Sequence, residues 1–193
     1  MNKKIKYFYI NLDVDLDRRK HVENQFAVHN IKCERFSAGK KGNNKIDRSK
    51  SCRDNHLKLW KRIKKDEIYI IFEDDINIIK NQFEEIINNI KDKNWCAINF
   101  CLPARGINGY NVDNGFKRAL KTVGLPGVNT GSQCIAINGE NVNQLLNIFK
   151  NKAENSPYFD VQLKTNFDKI HYYWHDQSIV THNHSIKSTI NHD

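Results

Sequence analysis

The chain has 193 residues and 22.6 kDa, and its 39% hydrophobic and 10% aromatic residues supply enough apolar surface for one core. That excludes disorder as the whole answer and fits a single domain over residues 1–193. Lysine and arginine number 31 against 22 aspartates and glutamates, a formal charge of +9, so an anionic partner is expected: DNA, RNA, an acidic membrane surface or a phosphorylated small molecule. The longest fully apolar run, Ile68 to Phe72, has five residues against the roughly 20 that cross a bilayer, so no transmembrane helix is expected. The apolar stretch Tyr7 to Ile10 breaks at Asn11 and Asp13, too early for a signal peptide, and the reading is a cytoplasmic protein. Five cysteines without a CxxC pair read as reduced, mostly buried thiols.

Ile5 to Leu12 reads as a buried strand, and Asp17 to Asn30, with Val22 and Phe26 on one face, as a helix. Lys32 to Ser37 fits a second strand, and Gly39 to Lys50 a loop. Ser51 and Asp54 resemble a capping box opening a helix to about Lys64, carrying Leu57, Trp60 and Ile63. Ile68 to Phe72 is apolar without alternation, as in a central strand buried on both faces. A helix at Asn81 to Ile90, a strand at Ala97 to Phe100 and a long loop with glycines from Gly106 to Gly127 follow. Ser132 to Ile137 reads as a strand, and Val142, Leu145, Leu146 and Phe149 mark a helix face. From His171 onward the chain has little core character beyond Tyr172, Tyr173 and Trp174. The alternation of strand and helix predicts an α/β fold, an open, mainly parallel sheet with helices on both faces and ligands beyond the strands' carboxyl ends.

Glu73, Asp74 and Asp75 follow the most hydrophobic strand directly. Carboxylates crowded there repel one another unless a cation lies between them, and hard oxygen ligands suit Mg²⁺ or Mn²⁺; a solvated acidic turn is the alternative. His182 and His184, two apart, face the same side of an extended chain and can complete a metal site or decorate a polar tail. Asp160, among Tyr158, Phe159 and Val161, is either a general base with a raised pKa or a helix cap. Arg18 and Arg19 either hold a phosphate or a ribosyl group or lie solvated on a helix. No GxGxxG, Walker loop or GxSxG is present.

Together the segments YFYINLDVDLDRRK, IKCERFSAG, SCRDNHLKLW, YIIFEDDI, NTGSQCIAINGENVNQLL, PYFDVQL and SIVTHNHSIKSTI resemble, in order, the motifs of glycosyltransferase family 25. This is the family of lipopolysaccharide glycosyltransferases and collagen galactosyltransferases. The resemblance implies a GT-A-type, Rossmann-like fold, a UDP-sugar donor, Mn²⁺ or Mg²⁺, and inversion at the anomeric carbon. It implies donor contacts at Asn11, Leu12, Arg18, Ala38, Asn55, His56 and Asp74, metal contacts at Glu73, Asp75, His182 and His184, and Asp160 as catalytic base. Asn55 stands where the family has serine, Ser51 where it has glycine, His182 where many members have glutamine, and Lys40 and Lys41 near an acidic position.

The expected activity is transfer of galactose or glucose to a hydroxyl of a glycan or protein, with peripheral contact to an anionic membrane as a further expectation. Two alternatives stand beside it. One is a nucleic-acid-binding module, motivated by the charge but opposed by the dispersal of the basic residues; the other is a metal-dependent phosphohydrolase using the same carboxylates.

Overall fold

The computed structural model describes residues 3–39, 42–90, 93–101, 109–112, 115–119, 133–150 and 158–186. β1 (Lys4–Asn11) leads into α1 (Leu16–Val28). Asp15 rather than Asp17 stands at the cap position, and Asp17 lies in the first turn. The far end closes as expected at Asn30: at φ 53°, it donates its N–H to Ala27 O (3.2 Å), and Ile31 donates to Phe26 O (2.9 Å). Ile31 and Phe26 share an apolar cluster, which turns the chain toward β2 (Glu34–Ser37).

α2 (Lys45–Trp60) starts well before Ser51. Asn44 Oδ1 accepts the Asp47 N–H and Asn44 Nδ2 donates to Asp47 Oδ2, both at 2.9 Å. The segment thus holds two cap-like pairs, Asn44/Asp47 and Ser51/Asp54. No glycine or proline separates them, so each added residue gains a helical hydrogen bond and the helix runs to the upstream cap. The loop from Gly39 is correspondingly shorter, Ser51 is inside the helix, and Lys40 and Lys41 lie outside the described residues.

β3 (Glu67–Glu73), β4 (Ile76–Ile78), α3 (Phe83–Ile90) and β5 (Ala97–Asn99) follow. β4 is absent from the sequence-based reading because three residues are too few to show a period. The stretch read as one loop from Gly106 to Gly127 contains a hairpin of β6 (Gly109–Val112) and β7 (Phe116–Ala119), and its residues 106–108 and 120–127 lie outside the described ones. β8 (Cys134–Asn138), α4 (Val142–Ile148), α5 (Phe159–Lys164), β9 (Tyr172–His175) and β10 (Val180–His182) complete the order.

One sheet has eight strands in the order β2-β1-β3-β8-β5-β9-β7-β6, with β7 and β8 running against the rest; β4 and β10 form a separate antiparallel pair. The expected open α/β sheet is present, with two reversed strands. Tyr69 and Ile71 of β3 point into a layer with Leu59, Trp60, Leu145, Phe159 and Leu163, that is, α2, α4 and α5. Ile68, Ile70 and Phe72 point into the opposite layer with Val22, Phe26, Ile86 and Ile87 of α1 and α3. Burial on both faces is why β3 carries no alternation, and each fully buried Ile or Phe contributes about 1.5–3 kcal/mol.

β2 and β3 flank β1 on opposite sides, with α1 and α2 on opposite faces, so the chain reverses its direction of winding at β1. Ligands of open α/β sheets bind outside the carboxyl ends of strands at such a reversal, and Asn11 and Glu73 stand at those ends here. The C-terminal segment is better packed than its composition suggests. β9 lies between β5 and β7, Ile179 and Val180 are buried, and β10 pairs with β4 directly after the acidic triplet.

Candidate active site

At the end of β3 the chain leaves the sheet, so successive carboxylates turn to different neighbours. Asp74 and Asp75, both buried, face α1. Arg18 Nε donates to Asp74 Oδ1 (2.7 Å), its terminal nitrogen also reaches Asp74, and the same nitrogen lies 2.7 Å from Asp75 Oδ2. Asn11 Nδ2 donates to Asp74 Oδ2 (2.8 Å). In this arrangement a guanidinium relieves the repulsion that the sequence alone assigns to a cation. Arg18 is held by the carboxylates, whereas Arg19 pairs on the surface with Glu23 at 2.9 Å. Burial pushes the Asp74 carboxyl up to about 6 against the opposing pull of Arg18 and Asn11. Burial also opposes ionisation of Asp75, but the His182 hydrogen bond and the Arg18 charge outweigh it and hold that carboxyl below its ordinary range.

The β4–β10 pair sets the other wall. His182 is in register with Ile76, and Asn183 N–H donates to Asp75 O (2.7 Å). This places His182 Nε2 3.3 Å from Asp75 Oδ2. The hydrogen bond to Asp75 raises the His182 pKa above its ordinary 6.5. His184 lies beside it, Nδ1 to Nδ1 at 3.2 Å with ring centroids 4.6 Å apart, so the two imidazoles do share a side. Asp75 Oδ1 is buried and has no hydrogen-bond partner among the described residues. Asp75 thus offers a buried carboxylate oxygen and, at its other oxygen, an imidazole that in turn meets a second one, groups of the kind that bind a divalent first-row cation.

Glu73 turns the other way, toward α2, with Oε1 3.6 Å from His56 Nε2. His56 is fully buried and stacks on Phe159 at 4.4 Å and 16°. Asp160 follows Phe159 in the first turn of α5, where its Oδ1 accepts the Val161 N–H (2.9 Å). Burial is the main cause that raises its pKa, and the charge of Glu73 adds to it. Asn55 Nδ2 donates to Ala38 O (3.3 Å), and Ala38 N–H donates to Asn11 O (2.9 Å), which ties α2 and β2 to the end of β1. Leu12 is half-buried, and its carbonyl accepts the Asp15 N–H at 3.1 Å.

The residues singled out in the sequence therefore divide into two neighbouring groups. Asn11, Arg18, Asp74, Asp75, His182 and His184 are joined by direct contacts. Glu73, grouped with the tail histidines by the resemblance, has its direct contact with His56 instead. The sequence reading missed His21, whose Nε2 lies 2.8 Å from Ile76 O and 3.3 Å from Asn183 Nδ2, and it missed Cys52. The spacing of Cys52 and His56, one helical turn apart, is the signal that finds the second.

Among solved structures, the chain is similar to a glycosyltransferase involved in the glycosylation of the major capsid of PBCV-1, with TM-score 0.58 and 10% identity over 95% of this chain and 94% of the other. This likeness is one of fold, and it agrees with the GT-A-type sheet expected. A protein from STIV (TM-score 0.48, 16% identity, 92% and 83% of the two chains) and a nucleoside-diphosphate-sugar pyrophosphorylase from Vibrio cholerae RC9 (TM-score 0.48, 12% identity, 92% and 75%) are more distantly similar. No curated protein matches the sequence. No helix among the described residues is long and apolar enough to cross a membrane. The profile of glycosyltransferase family 25 (LPS biosynthesis protein) matches residues 47–155, more than half of the chain including most of α2 and the acidic triplet, and the chain belongs to that family of glycosyltransferases.

Proposed function

We propose that this glycosyltransferase takes its sugar, galactose or glucose, from a UDP donor and transfers it with inversion to a hydroxyl of a glycan or protein, with Mn²⁺ or Mg²⁺ as cofactor. The observation that carries the reading is Asp75 at the carboxyl edge of β1 and β3, with Oδ1 buried and unpartnered and Oδ2 3.3 Å from His182 Nε2, whose ring in turn meets His184. Asp75 and His182 would hold the cation, with His184 beside His182 as a further ligand if its ring turns inward. Bound there, it supplies positive charge that neutralises the charge developing on departing UDP.

The other roles follow from placement. Arg18 and Asn11 position Asp74 and Asp75 by direct hydrogen bonds and ion pairs, so the carboxylates are oriented before any ligand arrives. Asp160, with its raised pKa, takes the acceptor hydroxyl's proton at a carboxylate oxygen as the hydroxyl attacks from the face opposite UDP. Ala38 and Asn55 border the nucleoside side through their link to Asn11.

Calorimetric titration of UDP in Mn²⁺ and in chelator, followed by UDP release from UDP-galactose and UDP-glucose with and without acceptor, tests the reading. Cation-dependent binding and acceptor-stimulated release are expected. Equal UDP affinity in both buffers overturns the metal reading, and phosphate release without acceptor replaces the transferase with a phosphohydrolase.

A further inference from the structure

The transfer steps proposed above assign no role to a second cluster. Cys52 and His56 sit one turn apart on the same face of α2, and Glu73 at the end of β3 meets them there. One ligand atom from each of the three side chains lies within 4.8 Å of the others, and the His56–Glu73 contact is 3.6 Å. Two ligands of a tetrahedral zinc at about 2.1 Å stand about 3.4 Å apart, so small side-chain rotations close this set around an ion. An independent observation points the same way: His56 is 0% exposed, yet neither ring nitrogen has a hydrogen-bond partner among the described residues. A buried imidazole with both nitrogens unsatisfied is costly, and a metal bond removes part of that cost.

We infer that Cys52, His56 and Glu73 form a zinc-class cation site that ties α2 to the end of β3, distinct from the cation site at Asp75. The thiolate selects a borderline ion such as Zn²⁺ over Mn²⁺ or Mg²⁺. Thiolate and carboxylate together carry two negative charges, which a divalent ion balances beside the buried imidazole. On binding, the Cys52 Sγ–H bond breaks, its proton leaves to solvent, and the sulfur lone pair forms the metal bond. Spacing by one helical turn keeps two ligands on one face, as in other helical metal sites. The three protein ligands leave the fourth position open.

Co²⁺ added to the full-length chain tests this, because a cobalt–thiolate bond gives a near-ultraviolet charge-transfer band. The parent should develop the band to saturation at one equivalent, lose it on adding Zn²⁺, and gain thermal stability from Zn²⁺ by mass action. Cys52→Ser, close in shape, should abolish the band and reduce the Zn²⁺-dependent shift while retaining the parent's circular dichroism. Glu73→Gln should keep the band and weaken Co²⁺ binding at least tenfold. Asp75→Asn and Cys33→Ser should keep both band and affinity, so failure here is separable from failure of the Mn²⁺–UDP reading. Absence of the band in the parent, or its survival in Cys52→Ser, overturns the site.

Discussion

His182 Nε2 lies 3.3 Å from Asp75 Oδ2 because β10 pairs with β4, the three-residue strand that immediately follows the acidic triplet. The end of the described chain is thereby tied to the carboxyl edge of the sheet. His182→Ala should weaken Mn²⁺-dependent UDP binding at least about tenfold, since even outer partners of metal ligands are worth about 10–100-fold. Calorimetry on a variant with unchanged circular dichroism measures it; unaltered affinity would show that the histidine is no ligand.

The same pair predicts a pH dependence whose sign is fixed. Asp75 raises the His182 pKa above 6.5, so the folded state binds the proton more tightly than the unfolded chain. The stabilisation is full below about 6.5 and is lost as pH rises through the raised value. In metal-free protein the thermal midpoint should fall over that interval in the parent and stay flatter in His182→Ala. Mn²⁺ affinity should rise over the same interval, because the ion competes with the proton.

Asp160→Asn keeps the shape and removes the basicity. Transfer should fall by about 10²- to 10⁴-fold with UDP affinity nearly unchanged. In the parent, kcat/KM should decline as pH drops through a value above the ordinary 3.8 of an aspartate, since burial raises this carboxyl and only its ionised form accepts a proton. Single-turnover rates against pH check both. A variant within a few-fold of the parent would leave Asp160 a helix-terminal residue.

Arg18 bridges two buried carboxylates, and Arg18→Ala leaves both without that charge. Removing one partner of a buried ion pair costs about 3–5 kcal/mol, read as a lower denaturant midpoint. Arg18→Lys should recover only part, because a single ammonium does not reproduce a planar fork.

Gly139 accepts no side chain, for a reason of close approach. A Cβ there would meet Lys64 O at 1.8 Å and Glu67 O at 2.8 Å, both backbone atoms, where the Gly139 N–H already donates to Glu67 O at 2.9 Å. Gly139→Ala should destabilise by about 3 kcal/mol, the upper range for overpacking, without altering UDP affinity per folded molecule.

The sequence by itself determined the local features of this protein. β3 was legible because a strand buried on both faces must be apolar throughout, and Asn30 because its left-handed backbone suits few residues. The acidic triplet stood out because carboxylates crowded after a buried strand need compensation. Only the tertiary structure decided what compensates them. That Arg18 reaches Asp74 and Asp75, that β10 brings His182 to Asp75, and that Glu73 turns to His56 all depend on how distant segments pack. The short strands β4 and β10 have too few residues to show a period of their own, and pairing with each other defines them. Local spacing reports which side chains share a face, whereas the partner across that face is set by the winding of the sheet and the burial it achieves.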